Sequence, residues 1–123
     1  GKSMNVLLVA LGGGIGAALR YGVSLLPISG EFPGATLLTN IIGAFVIGLI
    51  AGHAGKLPSG GVLFLKTGVC GGFTTFSTFS LETVMLLQNG RYGLGAFYIV
   101  LSLGCCLIGV MAGLWLGGRV GQQ

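Results

Sequence analysis

Three observations predict an all-α membrane protein with four transmembrane helices in one domain spanning residues 1–123. Hydrophobic residues fill 53% of the chain and charged ones only 7%, too little polar surface for a domain that faces water. Glycine occurs 26 times, with no Gly-X-Y period and only 3 prolines. That pattern excludes collagen and low-complexity chains and points to helices packed closely in lipid. Four apolar stretches, at residues 4–26, 33–53, 61–87 and 93–118, reach the roughly 20 residues a helix needs to cross a bilayer.

The first stretch is too long for a cleavable signal and is followed at once by another span, so it is expected to stay. Ahead of it, Gly1-Lys2-Ser3 has the end of a phosphate loop but not its start, and is expected to precede a native start at Met4. "GGGIG" at residues 12–16 mimics a dinucleotide loop, yet no strand leads into it. Between the spans, "PISGEFPG", "AGKLPSGG" and "QNGRYG" carry the Pro, Gly, Asn and Ser that end helices. Connectors this short predict antiparallel hairpins between successive spans. Small residues four apart recur as Gly12/Gly16, Gly48/Gly52, Gly68/Gly72 and Gly109/Gly113, the spacing that lets helix backbones touch in lipid.

The formal net charge of +4 comes from six basic residues scattered singly. Without a basic run there is no footprint for nucleic acid. Four crossings place both termini on one side with Lys2, Lys56, Lys66 and Arg119, against Arg20 and Arg91 on the other. Orientation follows the Lys/Arg bias of the flanks, and a difference of two charges commits the chain weakly, so insertion both ways round is expected. Cys70, Cys105 and Cys106 lie in apolar segments with no histidine at metal-ligand spacing, so they are expected to be buried small hydrophobes. No Ser/His/carboxylate set or carboxylate pair can be assembled, which leaves an enzyme unsupported.

The segment "GGFTTFSTFSLE", residues 71–82, is unlike its surroundings. Two glycines followed by Thr74 and Thr75 make a poor helix interior, because glycine costs about 1 kcal/mol against alanine and threonine hydroxyls compete for backbone bonds. The third helix is therefore expected to break at this point. Bare carbonyls at membrane depth are tolerated where they are buried in protein, line a polar cavity or bind an ion, which suggests a cation site of main-chain oxygens. Downstream, Phe76 and Phe79 share a helix face, as do Ser77/Ser80 and Thr75/Thr78. A phenyl ring is positive at its edge, so two edges can meet a small anion weakly, as conduction requires.

Asn40, beside Thr39 in the second span, is expected either to hydrogen-bond across helices or to offer its N–H to a passing anion. Tyr98 and Ser102 lie on one face of the fourth span, and Cys106 continues it. Arg20 and Glu82 are the charges well inside apolar stretches. Arg20 either draws anions to a vestibule or snorkels to the surface, while Glu82 alone would repel them. His53 is expected to be a solvated cap.

With "RYG" in the first span and "TNIIGAF" in the second, the "GGFTTFSTFSLE" chain resembles the Fluc (CrcB) family of bacterial fluoride channels over essentially its whole length. The resemblance implies an antiparallel, dual-topology homodimer in the bacterial inner membrane, with two fluoride pores at the dimer interface. It implies a structural Na+ at the centre, held by the carbonyls of Gly71 and Thr74 from both subunits. It assigns Phe76 and Phe79 to ring-edge contacts with fluoride and Asn40 to the pore. Ser102 and Tyr98 match the polar track, Glu82 the acid closing the motif and Arg20 the first-helix arginine, and the hydroxyls of Thr78 and Ser80 join the pathway. Cys106 stands where a track hydroxyl is expected. Function is then passive fluoride export down the electrochemical gradient. The alternative is a small proton-coupled multidrug exporter, for which Glu82 is the only available membrane acid.

Overall fold

A computed structural model describes residues 1–28 and 30–121, the side chains of the last three excepted. The charge count that uses Arg119 therefore lies partly outside the described residues. Among those described, all regular structure is helical. Helix α1 spans Lys2–Ser24 and α2 spans Gly34–Gly52, followed by a short 3-10 turn at Ala54–Lys56. Helix α3 covers residues 59–73, its middle part, Leu63–Cys70, wound as a π-helix. Helix α4 spans Phe76–Gln88 and α5 spans Tyr92–Gly121.

Three helices, α1, α2 and α5, are long and apolar enough to cross a membrane. Large apolar side chains such as Val6, Val100, Leu107 and Met111 point outward, where lipid rather than water is their fitting solvent. The fourth apolar stretch is divided between α3 and α4. The division falls at Thr74 (φ −80°, ψ 158°) and Thr75 (φ −148°, ψ 110°), both extended, whereas Gly71 keeps helical angles. Of the four residues expected to make a poor helix interior, the two glycines are thus helical. The two threonines are the residues that leave the helix.

The glycines serve packing instead. A Cβ built on Gly68 would lie 2.9 Å from the Gly12 Cα, and one on Gly72 would lie 2.9 Å from the Gly13 Cα, so α1 and α3 meet backbone to backbone. The same seam joins α2 to α5, where a Cβ on Gly48 would come 3.0 Å from the Gly113 Cα and one on Gly52 2.8 Å from the Gly117 Cα. These are the two most extensive helix contacts, and each skips a neighbour in sequence. Short connectors do not decide which helices pack; the glycine stripes do, because close approach is what yields contact energy in lipid. At the other end of the bundle, Phe79, Leu86 and Tyr98 form a buried cluster covered by Phe32, Leu37, Leu94 and Ile99.

Candidate functional site

An interrupted helix strands polar backbone groups that lipid cannot satisfy, and the neighbouring helices supply most of the missing partners. The Thr75 amide has left the helical ladder and donates to Asn40 Oδ1 at 2.8 Å, while Asn40 Nδ2 donates to the Thr75 carbonyl at 3.2 Å. One amide side chain on α2 thus satisfies both backbone groups of one residue. The pairing also fixes which end of the amide is oxygen, and it leaves the second Nδ2 hydrogen for another acceptor. Arg20 on α1 donates from Nε to the Gly72 carbonyl at 3.1 Å. It therefore turns inward as a cap for the end of α3 rather than snorkelling to the surface.

The start of α4 is capped from within. Thr75 Oγ1 accepts the Thr78 amide at 3.1 Å and lies 3.0 Å from the Thr78 hydroxyl, the usual work of an N-cap threonine. Thr74 turns its hydroxyl back to the Cys70 carbonyl at 3.0 Å, which also takes the Thr74 amide at 3.0 Å. Gly43 makes room for the Thr74 methyl, since any Cβ there would collide with it. With the Thr75 amide diverted to Asn40, the Gly71 carbonyl loses its helical donor.

Beside the interruption lies a cavity of about 350 Å³ bordered by Asn40, Thr74, Phe76, Phe79, Ser102 and Cys106, with Gly71 and Thr75 also at its wall. Phe76 is 75% exposed and Phe79 is buried, their ring centroids 5.6 Å apart. Ser102 is buried, and its Oγ is a buried side-chain polar atom with no hydrogen-bond partner among the described residues. An unpaired hydroxyl in an otherwise satisfied interior calls for a ligand or water. Tyr98, fully buried and one helical turn before Ser102, packs at a tilt against Phe79 with ring centroids 5.1 Å apart and donates its hydroxyl to Glu82 Oε1 at 3.0 Å.

The remaining candidates divide. Arg20 and Thr78 border a separate cavity of about 150 Å³, together with Thr36, Thr39 and Thr75 on the α1/α2 side of the interruption. Ser80 borders none of these cavities; its hydroxyl donates to the Phe76 carbonyl at 2.9 Å. His53 ends α2 with Nδ1 2.9 Å from the Leu49 carbonyl. Cys70 is buried, as expected, while Cys105 and Cys106 are partly exposed. Thr75 is the residue that sequence reasoning undervalued. Its signal is a threonine immediately ahead of Phe76, the first apolar residue of the helical pattern that follows.

Fold and site together define a multi-pass helical membrane protein with a phenyl-lined, largely apolar cavity, into which a few polar side chains are set, beside an interrupted helix. Residues 7–114 match the family model described as CrcB-like protein, Camphor Resistance (CrcB), and the chain belongs to that family. Among its relatives, a protein of Ruminiclostridium cellulolyticum named Fluoride-specific ion channel FluC is 50% identical, covering 99% of this chain and 98% of its own. One of the same name from Agrobacterium fabrum is 48% identical over 93% of this chain and 96% of its own. A third, from Clostridium perfringens, is 46% identical over 91% and 92%.

Proposed function

We propose that this chain is a fluoride-selective channel that lets fluoride leave the cell passively down its electrochemical gradient. Hydrofluoric acid crosses membranes uncharged from acid surroundings and dissociates in a neutral cytoplasm, and the trapped anion needs a path out. What carries the proposal is the near full-length identity to relatives named for that activity. The site supplies the means: the ring edges of Phe76 and Phe79, the free N–H of Asn40 and the unpartnered hydroxyl of Ser102 around one cavity. Edge, amide and hydroxyl are each weak partners for an anion, and weak partners in series permit passage. Thr78, Tyr98, Glu82 and Arg20 extend the polar route, and Ser80 lends its hydroxyl if α4 adjusts. The proton-coupled exporter gains no support, because the Glu82 carboxylate it requires is engaged by Tyr98.

The working unit in this account is an antiparallel homodimer in the bacterial inner membrane, with the exposed Phe76 face directed to its twin. A central Na+ belongs to the same account. Carbonyl oxygens are hard ligands suited to such a cation, and Gly71 and Thr74 both border the cavity, Gly71 at an exposed position. One chain offers two such oxygens and an inverted copy doubles them. When bound, the ion supplies fixed positive charge beside anion pathways whose cavity walls hold no lysine.

Purified protein in liposomes loaded with potassium fluoride, with valinomycin to carry potassium, tests the proposal with a fluoride electrode. Rapid fluoride efflux with no comparable chloride efflux, and without a proton gradient, is expected. Efflux that demands a proton gradient, or none at all, would overturn it. Reconstitution without Na+ is expected to lower the active fraction.

A further inference from the structure

Resting on the channel proposal, we infer that Arg91 and Glu31 form an electrostatic control point at one mouth of the pathway. Arg91 draws anions toward the mouth and Glu31 masks it.

The two side chains pair directly across the turns that precede α2 and α5. Both turns are built to present them. Gly30 (φ +113°) immediately precedes Glu31 and Gly90 (φ +77°) immediately precedes Arg91, and these are the positive-φ glycines among the described residues. After α4 the chain closes as a Schellman motif, with the Gly90 amide on the Leu87 carbonyl at 3.1 Å and the Arg91 amide on the Leu86 carbonyl at 2.9 Å. Arg91 is thereby fixed directly ahead of α5, and its carbonyl accepts the Gly95 amide at 2.9 Å. The side chains are 50% and 58% exposed, so the pair contributes little to stability. Its placement is the informative feature.

Glu31 and Arg91 border a cavity of about 670 Å³ that reaches inward past Asn89 and Met85 to Glu82. Glu82 holds the Tyr98 hydroxyl, and Tyr98 lies one turn from the unpartnered Ser102 of the inner cavity. Glu82, which lines the outer cavity, is thus bonded to the tyrosine of the polar track. The chain has two acidic residues in all, and both border this one cavity. Arg91 is the only lysine or arginine among the lining residues. An anion approaching it meets one cation already neutralised by a carboxylate, with a second carboxylate beyond. Charges in such a concave mouth set the local anion concentration and hence the rate of access, in a salt-dependent way.

Initial fluoride efflux from liposomes tests this with wild type, Glu31→Gln, Arg91→Gln and the exchanged pair Glu31→Arg/Arg91→Glu, in potassium sulfate of low and of about 1 M ionic strength. Screening lengths fall from about 30 Å at 0.01 M to about 3 Å at 1 M. At low salt, Glu31→Gln is expected to run severalfold faster than wild type, Arg91→Gln severalfold slower, and the exchanged pair close to wild type. High salt is expected to collapse these differences. Equal low-salt rates for wild type and Glu31→Gln would overturn the inference, as would differences that persist undiminished at high salt, which mark a structural role. A wild-type protein that carries no fluoride would overturn the channel proposal with it, whereas fluoride-conducting but salt-insensitive variants would overturn the inference alone.

Discussion

Helices α3 and α4 come from one apolar stretch of sequence, yet they are held by opposite means. Helix α3 lies against α1 through glycines, with Gly68 and Gly72 facing Gly12 and Gly13 so closely that a methyl group would not fit. Helix α4 makes no such seam. It is fixed through polar bonds at its start, from Asn40 to both backbone groups of Thr75, and through the Phe79, Tyr98 and Glu82 contacts with α5. Glycine contact gives a rigid, dry anchor. Polar and aromatic contact leaves space, and that space is the cavity that contains an unsatisfied hydroxyl.

The contrast breaks most severely at the seam. Gly72→Val puts a side chain into the Gly13 backbone, and the overpacking is expected to cost at least the upper end of about 1–3 kcal/mol, read as lost folded protein in detergent. Gly14→Ala is the control, since a Cβ there meets nothing within 4 Å, and no loss of folded yield is expected. Should both behave alike, glycine contact is not what holds α3.

Asn40→Ala is the next largest effect. It leaves the half-buried amide and carbonyl of Thr75 without their Asn40 partners, at up to about 1–3 kcal/mol for an orphaned polar group. Thermal unfolding in detergent checks the stability, and a fluoride electrode is expected to show slowed efflux as well. Smallest in stability and most telling for function is Ser102→Ala. Because Ser102 Oγ has no hydrogen-bond partner among the described residues, its removal is expected to leave unfolding within about 0.5 kcal/mol of wild type while fluoride efflux falls.

Much of the first region was legible in the sequence. Gly12/Gly16, Gly48/Gly52, Gly68/Gly72 and Gly109/Gly113 announced helix contact, because four-residue spacing maps directly onto one helix face. Their partners were not legible, since loop length suggests sequence neighbours while the stripes join α1 to α3 and α2 to α5. In the second region the repeated Thr-Phe-Ser marks the unusual segment, and Gly71, Gly72, Thr74 and Thr75 together mark the stretch where a helix is weakest, without separating the glycines from the threonines. Glycine is permissive rather than obstructive in a packed helix, and the departure belongs to Thr74 and Thr75; α2 satisfies both backbone groups of Thr75 through Asn40, while α1 caps the Gly72 carbonyl through Arg20. The roles of Arg20 and Asn40 depend on partners 52 and 35 residues away. No local pattern encodes such distances.

The central claim is that fluoride passes along the phenyl-lined side of the interrupted helix. It is tested most directly by fluoride-electrode efflux from liposomes carrying Phe76→Ile or Phe79→Ile protein, each first verified as folded and eluting like wild type. The account predicts efflux slower by tenfold or more, equivalent to about 1.4 kcal/mol on the barrier. Wild-type rates in both variants would contradict it.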